Sequence, residues 1–180
     1  MVTVRHWLTN FMERPLIRLN LTVVVLSADK DKNYISATVK LALEASAAFW
    51  RDLGIMSHPV VRGCDKVPSP TVGLSDNIHD LHLWSIGTPT PTIYVFAEAL
   101  HVEGGNLGLA WEHNGIAVVA GGGLGDVNLD ERMDHELGHL LTLQHEDNTF
   151  MRETLGLHNR VVTEQKPGEL LRNAFNLGGF

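Results

Sequence analysis

The chain has 180 residues, of which 44% are hydrophobic and 19% are charged, and its formal net charge is −7. This length and composition suit one soluble domain with its own hydrophobic core. The acidic excess disfavours a nucleic-acid partner, since phosphate binding depends on clustered Lys and Arg. No apolar run reaches the roughly 18 to 20 residues of a membrane span, and the single cysteine excludes an internal disulfide.

The N-terminal half is predicted to pair strands with one long helix. Residues 19–27, rich in Val and Leu, suit a buried strand rather than a secretion signal, because no small-residue cleavage site follows. The chain is therefore expected to be cytoplasmic, or the mature domain of a secreted protein. Apolar residues recur at helical spacing from about Asn33 to Leu53. A short strand is predicted at 58–62, and residues 65–91 carry most of the prolines and are predicted to form an irregular loop.

The C-terminal half is also predicted to contain both strands and helices. Residues 92–97 suit a strand, and strands at 107–111 and 116–120 flank Asn114-Gly115, a pair that favours a hairpin turn because both residues tolerate positive φ. A last helix is predicted within 163–175. Strands interleaved with helices indicate an α+β, or α/β-like, domain around one sheet.

Asn128 and Glu131 have the spacing of a capping box at the start of a helix that runs into residues 135–151. The stretch Asp126 to Glu131 also offers oxygen atoms at alternate positions, as a calcium loop does. Because a helix N-terminus requires the same residue types, calcium is possible here but not supported.

Three histidines and a glutamate lie within eleven consecutive residues, 135–145, where this predicted helix continues. His135 and His139 are four apart, so both side chains lie on one helical face and can share a metal ion. Glu136 is placed to act as a general base towards water that zinc makes acidic. His145 would lie about 15 Å along a continuous helix and about 80° around it. It can join the other two only if the helix ends near Leu141–Leu143 and the chain turns back.

The stretch His135-Glu-Leu-Gly-His139-Leu-Leu-Thr-Leu-Gln-His145 resembles the HExxHxxGxxH zinc signature of the metzincin metallopeptidases, and Met151 resembles the methionine of the turn beneath their metal. The resemblance implies a zincin-like α+β fold: a twisted mixed sheet of about four to five strands, a long packing helix, a metal-binding helix and a C-terminal helix. It also implies one catalytic zinc ion on the three histidines, with Glu136 as the base, and a peptide or protein substrate.

By the same resemblance, residues 1–180 would form one catalytic domain, with an upper part at about 19–145 and a lower part at about 146–180 that holds the methionine turn and the last helix. An extended substrate would bind an edge strand by main-chain hydrogen bonds. The edge-strand residues are Leu107, Gly108, Leu109, Ala110 and Trp111.

Two features depart from the family pattern. Thr142 occupies the position of the family's glycine, where the chain must leave the helix, and a β-branched residue is disfavoured at positive φ. Met151 follows His145 by only six residues, so a plain core methionine stays an alternative. The motif alone specifies no branch of the family.

Other interpretations stay open. Small bacterial endoribonucleases carry an HxxxHxxGxDH signature that the three histidines and the following Glu146-Asp147 also resemble, although Glu136 and Gln144 replace two of its residues. A metal-stabilised binding module without catalysis is a third possibility. Glu153 or Glu164 could replace His145 as third ligand, and Cys64 is expected to be a plain thiol. A second metal could involve four further histidines, His79, His82, His101 and His113, with Asp76 or Asp80 assisting.

Overall fold

The computed structural model describes residues 17–27, 32–64, 91–102, 106–122, 128–152, 170 and 172–174. The strands are β1 (Ile17–Leu26), β2 (Ile55–Cys64), β3 (Thr92–Phe96), β4 (Gly108–Trp111) and β5 (Ile116–Ala120); the helices are α1 (Lys32–Asp52) and α2 (Leu129–Leu140). Leu170 and residues 172–174 are also helical. Residues 65–90 of the predicted loop, Asp126 and most of the predicted last helix lie outside the described residues.

The five strands form one mixed sheet in the order β2-β1-β3-β5-β4. The first three pairings are parallel, and β4 alone runs antiparallel to its neighbour, with Gly108 opposite Val119 and Trp111 opposite Ile116. The predicted mixed sheet is therefore confirmed. β2 extends beyond the predicted 58–62 at both ends, because its pairing with β1 runs from Ile55 to Cys64.

Both faces of the sheet are covered, which explains the nearly continuous apolar sequence of the central strands. Side chains alternate along β1, so Leu21 and Val23 join the core beneath the helices, whereas Val24 and Leu26 join a second core on the opposite face. The helical face carries the larger core, and the histidine-bearing helix α2 packs within it.

The connection from β4 to β5 differs from the predicted two-residue turn. A short 3₁₀ helix, Glu112–Asn114, follows β4, and Gly115 then adopts a φ of 64°. Asn114 is part of the 3₁₀ helix, so only the glycine has positive φ. Four residues separate the paired Trp111 and Ile116, which is too many for a two-residue hairpin loop.

α2 begins where predicted, but without the predicted side-chain cap from Asn128. Asn128 occupies the N-cap position, yet its side chain makes no capping hydrogen bond. The first turn is tied to the sheet instead, because Arg132 Nη1 donates to the carbonyl of Ala120 at 2.8 Å. No helix in the described part of the chain has the length and apolar character to cross a membrane.

Asp134 joins α2 to α1. Its carboxylate is buried and accepts hydrogen bonds from Ser46 Oγ and, at 2.8 Å, from Trp50 Nε1. The Trp50 ring in turn packs edge-on against Phe150, with ring centroids 5.7 Å apart. A buried carboxylate bound by two donors fixes the helix register, since removing either partner would leave a polar group unsatisfied. α1 thereby holds α2 directly beside His135.

Candidate metal centre

α2 ends sharply after Leu140. The N–H of Leu143 donates to the carbonyl of Gly138 at 3.0 Å, and the N–H of Thr142 donates to the carbonyl of His139 at 2.7 Å. This pair of bonds is a Schellman motif, in which the residue after the C-cap is left-handed. Thr142 fills that position with a φ of 65°. The helix therefore breaks where a three-histidine site requires.

The break returns His145 to the face that carries the other two histidines. The Nε2 atom of His139 lies 3.1 Å from that of His135 and 3.2 Å from that of His145, and the third separation is 3.3 Å. A tetrahedral zinc ion with bonds of about 2.0–2.1 Å places its ligand atoms about 3.3–3.4 Å apart. The three imidazole nitrogens thus have the spacing of zinc ligands, and three protein ligands leave the fourth position open.

Backbone carbonyls orient two of the imidazoles. His135 Nδ1 lies 3.1 Å from the carbonyl oxygen of Phe150, and His139 Nδ1 lies 2.9 Å from that of Leu143. Because a carbonyl only accepts, each Nδ1 carries the proton and donates it. Each Nε2 then keeps a lone pair directed at the shared centre, as metal-binding histidines require.

Burial keeps these two side chains neutral. It lowers the pKa of His135 to about 4, although the hydrogen bond to Phe150 opposes the shift, and it also lowers the pKa of His139. A metal ion binds neutral imidazole, so metal binding near pH 7 would release few protons from either histidine.

Among the described residues, these three histidines are the only group of His, Cys, Asp or Glu side chains found that could hold a metal ion. His101 and His113 are described and lie outside the group, so they do not support the predicted second metal. Several other candidates fall outside the described residues: Asp76, His79, Asp80, His82, Glu153 and Glu164.

Glu136 lies buried between α2 and β4. A Cβ built at Gly108 would overlap Glu136 Oε1, so the carboxylate rests on the bare backbone of the strand. Burial raises the pKa of Glu136 to about 8, and within the described part of the chain its buried Oε2 has no hydrogen-bond partner. A cation held by the histidines would lower the pKa of this carboxyl again, because opposite charge favours the ionised form. A buried carboxylate oxygen without a partner, beside three convergent imidazoles, fits a metal with attendant water.

Met151 lies beneath α2. A Cβ built at Gly138 would overlap Met151 Sδ and meet a ring carbon of Phe150 at 3.1 Å, and the methionine is 1% exposed. The turn that delivers it closes with a hydrogen bond from the N–H of Glu146 to the Met151 carbonyl at 3.0 Å, with Asn148 at a φ of 61°. Met151 is therefore buried against the turn of α2 that contains Gly138.

Gly138→Ala should destabilise the protein by about 1–3 kcal/mol, the usual cost of adding volume to a filled core. It should also weaken zinc binding, since the same contact supports the turn of helix that carries His139. Urea unfolding and zinc titration measure the two effects. Adding Met151→Ala makes room for the new methyl group and should recover part of the loss; no recovery would contradict the direct contact.

The structure places the remaining predicted residues as follows. β4 comprises Gly108–Trp111, so Leu107 precedes the strand by one residue. β4 is an edge strand whose one partner among the described residues is β5. The predicted strand thus contacts Glu136 at Gly108, and the residues of β4 are half-buried.

Three supporting residues are not predicted by the sequence. The carbonyls of Phe150 and Leu143 carry no residue-type signal, because any residue supplies a carbonyl. Asn173 donates to the Leu141 carbonyl and to Thr142 Oγ1 from the helical segment at 172–174. These partners lie 32 and 31 residues earlier, so no local pattern could connect them to Asn173.

No model of a protein family matches this sequence, and no curated protein matches it. Solved structures do match its fold. One is a chain from a chaperone–substrate complex, with a TM-score of 0.63, 14% identity, and coverage of 89% of this chain and 35% of that one. Another is metalloproteinase-II from Bacteroides fragilis, with a TM-score of 0.61, 14% identity, and coverage of 89% of this chain and 55% of that one.

A third similar structure is an archaemetzincin from Methanopyrus kandleri, with a TM-score of 0.61, 18% identity, and coverage of 87% of this chain and 95% of that one. The chain thus spans about a third and about half of the first two matched chains. At these identities the likeness shows the fold. The chain has the mixed-sheet α+β fold predicted from its sequence, and its solved neighbours include a metalloproteinase and an archaemetzincin.

Proposed function

We propose that this protein is a zinc-dependent endopeptidase, with one zinc ion held by His135, His139 and His145 and with Glu136 as general base. The observation that carries the proposal is the set of three Nε2 atoms, 3.1–3.3 Å apart, on the same helical segment as a buried glutamate. The likeness in fold to a metalloproteinase and an archaemetzincin supports it.

Each protein group has a distinct part in the proposed reaction. Zinc at this site would supply Lewis-acid chemistry, polarising a carbonyl and making water acidic near neutral pH. Glu136 accepts a proton from the attacking water and delivers it to the leaving amine. Gly108 leaves the space that this carboxylate occupies. The Phe150 carbonyl holds the ring of His135 in the orientation and tautomer that binding requires. Met151 supports the helix from below as the methionine turn.

The proposed substrate is an extended peptide that adds to β4. In the described part of the chain β4 pairs on one side only, with β5, so its other edge can offer backbone N–H and carbonyl groups to a peptide. Gly108 lies in this strand directly over Glu136, which brings the peptide backbone close to the proposed base.

Casein and a single-stranded RNA, each incubated with the zinc-loaded protein, separate the proposed activity from its alternatives. We expect casein cleavage that a chelator abolishes and added zinc restores, with the RNA intact. Cleavage of RNA alone would support the endoribonuclease interpretation. A protein that binds stoichiometric zinc but cleaves neither casein, nor a broader set of peptides, nor the RNA would support a metal-stabilised binding module.

A further inference from the structure

The residues that follow α2 are hydrogen-bonded by Asn173, which lies in the last described segment of the chain. Thr142 has a φ of 65°, in a region where a β-branched residue is unfavourable and glycine is at ease. The side-chain amide of Asn173 donates both to Thr142 Oγ1 and to the carbonyl of Leu141. One side-chain amide therefore donates hydrogen bonds both to the residue at positive φ and to the peptide group before it. We call these two hydrogen bonds the clamp.

These bonds complete the end of the helix. The last carbonyls of a helix have no partner within it and must be satisfied elsewhere. The Schellman bonds from Leu143 and Thr142 satisfy the carbonyls of Gly138 and His139. The Leu141 carbonyl lies beyond that motif, and Asn173 supplies its donor. The two N–H groups of one amide suffice for both contacts.

Asn173 lies on a helical segment that packs on the core. Its neighbour Ala174 and the nearby Leu170 are both 0% exposed and belong to the same core cluster as Leu141 and Leu143. The helical segment and the exit of α2 are thus packed on one core. A side chain fixed in this way can restrain a strained backbone, which a mobile one could not.

We propose that Asn173 is a positioning residue for the metal centre: by clamping Thr142, it lets a threonine make the turn at φ 65° and so sets the path of the chain to His145. Leu143 follows the clamp directly, and its carbonyl orients His139 at 2.9 Å. Loosening Thr142 would therefore disturb two of the three imidazoles together. The inference rests on the proposed metal centre, but not on peptide hydrolysis.

A double-mutant cycle tests the clamp. The four proteins are the parent, Asn173→Ala, Thr142→Gly and the double variant, and zinc dissociation constants come from competition with a chromophoric chelator. Outer-shell groups typically change metal affinity by about 10–100-fold. We expect Asn173→Ala to weaken zinc binding at least about tenfold in the parent, but less than about twofold in the Thr142→Gly variant, since glycine adopts positive φ without help.

Arg172→Ala is the matched control, because Arg172 is the exposed neighbour of Asn173 on the same helical segment, and it should leave zinc binding unchanged. Thermal unfolding of the zinc-free proteins is measured in parallel. If Asn173→Ala does not fold, Asn173→Asp replaces it, as it keeps the shape and removes the N–H donors.

Equal losses of zinc affinity in the parent and in the Thr142→Gly variant would show a general structural role and overturn the clamp. No loss in either background would overturn it as well. Failure of the parent protein to bind zinc would overturn both the clamp and the metal centre. Failure of the parent to cleave peptides while it binds zinc would overturn the proposed function alone.

Discussion

Glu136→Gln should retain zinc and lose peptide cleavage by about 10²- to 10⁴-fold, the range typical for removal of a positioned general base. The substitution keeps the size of a side chain that is 5% exposed and rests on Gly108. It removes the carboxylate that accepts and returns the proton, but none of the imidazole nitrogens. The loss should therefore fall on kcat/KM, while zinc content and thermal stability stay close to those of the parent.

Zinc analysis, thermal unfolding and initial rates on a fluorogenic peptide measure these effects. Glu44→Gln, an exposed position on α1, makes the same chemical change away from the site and should retain full activity. A Glu136→Gln protein that holds zinc and cleaves the peptide as fast as the parent would contradict the assignment of the base.

His145→Ala should lose zinc affinity by more than the roughly 10–100-fold that removal of a supporting outer-shell group costs, because it removes one of three ligands. The stability of the zinc-free protein should change little, since His145 is exposed and lies outside the core clusters. This combination of a large metal effect with a small folding effect distinguishes a ligand from a structural residue. Isothermal titration with zinc, together with urea unfolding of the chelated protein, measures both.

The matched control for this variant is His113→Ala. His113 is also exposed, and it lies in the 3₁₀ helix after β4, outside the three-histidine group. It should retain the zinc affinity of the parent. Equal zinc affinity in His145→Ala and the parent would mean that the third ligand is not His145.

The fold is largely predictable because its elements bury continuous apolar sequence. The run at 19–27 predicts β1, and the helical spacing from Asn33 to Leu53 predicts α1 within about one residue at each end. The ends of β2 are not predictable in the same way, since they are defined by pairing with β1 and not by a local sequence pattern. The 3₁₀ helix after β4 escapes prediction because Asn-Gly also suits a tighter turn.

The histidine cluster is predictable because its spacing is local. His135 and His139 are set by helical geometry, and the position of His145 follows once the helix ends at Leu140. The hydrogen bonds that support the cluster connect residues far apart in the sequence. Asp134 depends on donors from α1, and Thr142 on an amide 31 residues further along, so neither is visible as a motif.

Three histidines on either side of a sharp turn should bind one zinc ion. X-ray absorption spectroscopy of the zinc-loaded protein, combined with zinc analysis, tests this binding most directly. We expect one zinc per chain, bound by three imidazole nitrogens at about 2.0–2.1 Å and by one oxygen ligand. Substoichiometric zinc, or a stoichiometric site with fewer than three imidazoles, would contradict it.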